Sequence, residues 1–64
     1  KSYGSKEIIQ ALIKDGWYIV DTTGSHVHLK NENKPGKVTV PHPRKDLTKK
    51  TLQSIINFTG ITLR

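Results

Sequence analysis

Apolar residues recur at Ile8, Ile9, Leu12 and Ile13, with Lys6, Gln10 and Lys14 on the other side, a helical repeat with one oily face. Ser5 is a favourable N-cap, Glu7 suits the positive end of a helix, and Asp15-Gly16 supplies a stop. The spacing predicts a first helix from about Ser5 to Asp15. The period then changes. Trp17-Tyr18-Ile19-Val20 is aromatic and β-branched, which predicts a strand, and Thr22-Thr23-Gly24 is expected to turn it. From His26 to about Asn31 polar and apolar residues alternate strictly, so Val27 and Leu29 share one face while His26, His28 and Lys30 share the other. Asn31 to Gly36 reads as a polar loop with Pro-Gly punctuation, and Lys37-Val38-Thr39-Val40 as a third strand ended by Pro41.

Two prolines make Pro41-His42-Pro43-Arg44-Lys45-Asp46 a crossing segment rather than helix or central strand. Thr48 or Thr51 can cap a second helix with the stripe Leu52, Ile55, Ile56 and Thr59, closed by Gly60, after which Ile61 and Leu63 should tuck back. The order is α-β-β-β-α. Short connections favour an antiparallel meander, and two helices with one apolar face each pack most economically on one side of it. Val27, Leu29, Val38 and Val40 should meet those helices, leaving the face of His26, His28 and Lys30 open to a ligand or partner.

The chain's 64 residues make a single small domain, 1–64, that buries only about 60% of its unfolded surface. With no cysteine, neither a disulfide nor a thiolate metal site can staple it. No apolar run approaches the roughly 20 residues needed to span a bilayer, and Lys1 to Ser5 is not followed by a signal-like apolar stretch. The expectation is a soluble cytoplasmic protein with no membrane association. Eleven Lys and Arg against five acids give a formal charge of +6, which favours a polyanion, an acidic protein surface or simple solubility.

The segments Ser5–Asp15 with Gly16-Trp17-Tyr18, Gly24-Ser25-His26, Val38-Thr39-Val40-Pro41-His42-Pro43, and Thr51-Leu52-Gln53-Ser54-Ile55-Ile56 together resemble the HicA toxins of bacterial and archaeal toxin–antitoxin pairs. Gly-Ser-His alone is a weak signal; the ordered set, covering almost the whole chain, is specific. The resemblance implies a double-stranded-RNA-binding-domain-like fold and ribosome-independent cleavage of mRNA. It also implies neutralisation by a HicB-type antitoxin that covers the active face. The family's catalytic histidine lies in the Gly-Ser-His segment, which points to His26 with His28 close by. Two departures stand out. Many members carry two adjacent histidines after the serine where this chain has Val27 and His28, and many have glycine where Lys50 stands. Either imidazole is therefore a candidate for the chemistry.

Cleavage of RNA without a metal needs a base for the 2′-hydroxyl proton and an acid for the leaving 5′-oxygen, and histidine serves both near neutral pH. Residues i and i+2 of a strand are roughly 6.6 Å apart along it, a separation that lets two imidazoles flank one phosphate. The reading is His26 as base and His28 as acid or phosphate contact, with Lys30, Lys37 and Arg44 neutralising phosphorane charge. Gly24 and Ser25 form the turn that delivers His26, and their backbone N–H groups can meet a phosphate oxygen. Arg44, Lys45, Lys49 and Lys50 gather near the second helix's start, a further candidate RNA contact. His-x-His lacks the cysteine or nearby carboxylate that would complete a metal site, so neither metal nor cofactor is expected. Ser25 has no activating partner for a nucleophilic role, Trp17 is better suited to core packing than to base stacking, and His42 to shaping a rigid loop. The competing functions are a non-catalytic double-stranded-RNA-binding module and an interaction domain for an acidic partner.

Overall fold

The computed structural model describes residues 3–63; the reading of the extreme N-terminus at Lys1 and Ser2 falls outside them. Helix α1 spans Ser5–Lys14, strands β1, β2 and β3 span Tyr18–Thr23, His26–Asn31 and Lys34–Pro41, and helix α2 spans Lys49–Thr59. The strands form one antiparallel meander in the order β1-β2-β3, with both helices on one face, an α+β fold of the double-stranded-RNA-binding-domain type. No helix among the described residues is long and apolar enough to cross a membrane.

The core follows the alternation. Val27, Leu29, Val38 and Val40 are buried from the sheet side, and Ile8, Ile9, Leu12 and Ile55 from the helices. Each such side chain contributes about 1.5–3 kcal/mol on burial. Trp17 is 2% exposed and stands 6.3 Å from the Phe58 ring, as its position after a helix stop implied. Ile61 is buried and Leu63 packs against the core, completing the tuck after Gly60. Thr48 caps α2, its hydroxyl accepting from the Thr51 N–H. Ile13 departs from the expected stripe: it is 49% exposed, while Ile8, Ile9 and Leu12 are buried.

Three local readings are corrected. The N-cap of α1 is Gly4, whose N–H donates to the Glu7 carboxylate at 3.0 Å. Ser5 is instead the first helical residue, and its hydroxyl serves the crossing segment: it accepts from the Arg44 N–H at 2.9 Å and lies 2.6 Å from His42 Nδ1. β1 continues through Thr23, and the turn is Gly24-Ser25, with Thr23 paired to His26. A two-residue hairpin of this kind wants positive φ at its first position, which Gly24 supplies at +56°. β3 begins at Lys34 rather than Lys37. Asn31 pairs with Lys34 and Lys30 with Lys37, so Pro35 and Gly36 sit in a bulge where a missing donor costs no ladder bond. Gly36 also lets Phe58 approach; a Cβ there would stand 2.9 Å from the ring's Cζ.

Ser5 is 1% exposed and joins α1 to the crossing segment through three polar contacts. Ser5→Ala leaves the Arg44 N–H and the His42 ring short of a partner. The expected loss is about 1–3 kcal/mol of unfolding free energy in a urea titration, whereas an unchanged midpoint contradicts the role.

Candidate nucleic-acid interface on the open sheet face

The register arranges the uncovered face as three cross-strand rows. Thr23, His26 and Pro41 form one end, Asp21, His28 and Thr39 the middle, and Tyr18, Lys30 and Lys37 the other end. Directly opposed residues of antiparallel strands have Cβ atoms about 4.5–5.5 Å apart, so each row is a contiguous patch. A bulge in β1 between Ile19 and Asp21 decides which residues of that strand take part. Without the extra residue Val20, simple alternation from Tyr18 would bring Val20 and Thr22 to this face. With it, Asp21 and Thr23 stand there instead.

The two imidazoles of this face differ in environment. His26 is exposed, and its ring has no hydrogen-bond partner among the described residues. His28 is half-buried, and its Nδ1 lies 2.9 Å from Thr39 Oγ1 on β3. A hydroxyl can donate to or accept from that nitrogen, so Thr39 holds the ring through both protonation states and leaves Nε2 as the outward atom. Lys30 and Lys37 are exposed and directly opposed. Gly24 and Ser25 sit at the tip of the hairpin, where the Ser25 carbonyl accepts from the His42 N–H at 2.7 Å. That bond ties the turn beside His26 to the end of β3.

Other expected contacts lie elsewhere. The His42 ring bonds Ser5 on α1, and so points into the helix layer. The backbone of Arg44 bonds the same serine, Lys45 lies beside the α1 N-terminus, and Lys49 and Lys50 open α2. The crossing segment has carried the chain from the sheet to the helix layer. Arg44, Lys45, Lys49 and Lys50 therefore stand on the crossing segment and the start of α2, off the strands that carry His26, His28, Lys30 and Lys37. Asp21, opposite His28, is a residue that sequence reasoning missed, since only the bulged register brings it there. Among the described residues no cluster of three or more His, Cys, Asp or Glu is arranged to hold a metal ion.

Fold and site together define a small basic α-β-β-β-α domain with a histidine-bearing, uncovered sheet. The sequence profile described as the HicA toxin of bacterial toxin–antitoxin pairs matches residues 5–61. A chain of the solved structure described as "HicA3 and HicB3 toxin-antitoxin complex" is 35% identical. It covers 97% of this chain and 100% of its own length, with a TM-score of 0.79. No individually curated protein matches the sequence. The chain belongs to the HicA family of toxins.

Thr39→Val removes the hydroxyl while keeping a β-branched side chain on the strand. NMR relaxation of the imidazole carbons should then show the His28 ring loosening toward the mobility of His26, with Thr39→Ser restoring the native order. A His28 ring as rigid in the valine variant as in the native protein contradicts the contact.

Proposed function

We propose that this chain is an endoribonuclease toxin that cleaves mRNA by histidine acid–base chemistry and is neutralised by a HicB-type antitoxin. The observation that carries the reading is the open row geometry: an unpartnered imidazole, a held imidazole and a lysine follow one another along β2, the lysine opposed by Lys37 of β3. Family membership supports the activity, and the matched toxin–antitoxin complex supports the partner.

His26, with both ring nitrogens unengaged, removes the proton from a ribose 2′-hydroxyl. The oxygen attacks the adjacent phosphorus, forming the 2′-O–P bond. His28, steadied at Nδ1, delivers the Nε2 proton to the 5′-oxygen as the P–O5′ bond breaks. Lys30 and Lys37 offset the charge that builds on the phosphorane. The products are a 2′,3′-cyclic phosphate and a 5′-hydroxyl; His26 ends protonated and His28 neutral, and exchange with water resets both. No step in this scheme draws on a metal ion. An antitoxin seated on the uncovered sheet face blocks the reaction by occluding His26. The basic residues Arg44, Lys45, Lys49 and Lys50 contribute longer-range attraction for RNA, lost as salt is raised.

The test is incubation of the purified protein with RNA in the presence of EDTA, alongside His26→Ala. Native protein should give cyclic-phosphate and 5′-hydroxyl ends by mass spectrometry. The variant should be slower by about a hundredfold or more, the usual scale for losing a general base, and should no longer arrest growth when expressed. Ends carrying 3′-hydroxyl and 5′-phosphate contradict the chemistry. RNA binding with no cleavage by native protein indicates a non-catalytic RNA-binding module.

A further inference from the structure

In the row at the far end of the open face, Tyr18 takes no part in the bond-breaking steps. Lys30 and Lys37 oppose each other directly, an arrangement that disfavours the folded sheet through like-charge repulsion. No carboxylate pairs with either ammonium among the described residues; the ion pair of this protein's β2–β3 turn belongs to Lys34 and Asp15. On the other side of Lys30 stands Tyr18, 44% exposed on an edge strand. Trp17, its neighbour, is committed to the core, so Tyr18 is the aromatic ring this face offers to solvent. An exposed tyrosine or a surface lysine pair is ordinary by itself. The conjunction is not: a flat π-face and two uncompensated cations share one row, immediately beside the imidazole of His28.

We propose that Tyr18, Lys30 and Lys37 form a nucleotide subsite, in which Tyr18 stacks on a base and the two ammonium groups, besides offsetting charge at the cleaved phosphate, hold the nucleotide that follows it. This rests on the ribonuclease reading and adds a direction to it. Successive rows are roughly 6.6 Å apart along β2, and the order is His26, His28, Lys30. The base serves the ribose upstream of the cut, and the acid serves the 5′-oxygen of the nucleotide downstream. The Lys30 row therefore receives the downstream nucleotide, and Tyr18 reads its base. Stacking is tolerant of base identity because every base has a π-face, while the lysines make affinity salt-dependent. Tyr18 is thus an affinity determinant on the 3′ side of the cleaved linkage.

A DNA hexamer carrying a single ribonucleotide fixes which linkage is cut, and an all-deoxy version of it binds without reacting. Each is made with either a normal base or an abasic site at the nucleotide 3′ of the ribose. Tyr18→Ala should weaken binding of the normal all-deoxy hexamer roughly tenfold, leave the abasic hexamer's affinity nearly unchanged, and be rescued by Tyr18→Phe. Lys30→Gln with Lys37→Gln should weaken both hexamers alike and flatten the salt dependence. Equal losses on normal and abasic hexamers, or none on either, overturn the subsite. Coupling that appears only when the abasic site is moved to the 5′ side overturns its direction. Native protein that shows the binding cycle but cuts no ribose-containing hexamer overturns the ribonuclease reading alone; cleavage without the cycle overturns the subsite alone. Circular-dichroism melting confirms that the exposed substitutions leave the fold intact.

Discussion

The architecture depends on Val27 and Leu29 being driven out of water from one side of β2. Together with Val38 and Val40 they are the floor on which both helices rest. Because strand side chains alternate, that burial leaves His26, His28 and Lys30 only one place to go. A slip of one residue of β2 in the β2–β3 register would bury two imidazoles and an ammonium and expose Val27 and Leu29, a penalty of several kcal/mol. The face of His26, His28 and Lys30 is therefore held outward by the apolar face beneath it.

The second constraint is asymmetry. The helices lie chiefly over β3, which leaves β1 at an edge with every residue of the strand exposed. The bulge at its middle twists and shortens the regular ladder, as edge strands commonly require. It also selects the strand's contribution to the open face, presenting a carboxylate opposite His28 where an unbulged strand would present valine. The β3 bulge at Pro35-Gly36 does a related task at the other edge, giving Phe58 room to pack beside Trp17. Lys34 then closes that end of the molecule, donating to the Thr59 carbonyl at 2.6 Å and lying 5.9 Å from the Trp17 ring.

Much of this was legible in the order of residues because period and capping are local. The 2-residue alternation at Val27 and Leu29, the helical stripe of Ile8, Ile9 and Leu12 (though not its expected member Ile13), and the Thr48 cap all act within a few positions. Registers are not local. Whether Val20 or Asp21 faces His28 depends on how β1 pairs with β2, and nothing in Tyr18–Thr23 alone announces a bulge. The same limit applies to the site. His26, His28, Lys30 and Lys37 lie on one face because adjacent strands share it. Arg44, Lys45, Lys49 and Lys50 lie off those strands, between β3 and α2 and at the start of α2. Ser5 misled for a different reason: its hydroxyl is a good cap, but a contact with Arg44, 39 residues away, outcompetes the local one. Thr39, a bland strand residue in the sequence, acquires its meaning only from its partner on β2.

The three histidines offer the most direct measurement, since two stand on the open face and the third is bonded into the helix layer. Imidazole proton and carbon resonances followed during titration with a non-cleavable RNA should shift for His26 and His28 while those of His42 stay in place. Shifts confined to His42 and to the amides of Lys49 and Lys50, with His26 and His28 silent, would put the nucleic acid on the other side of the molecule and contradict the account.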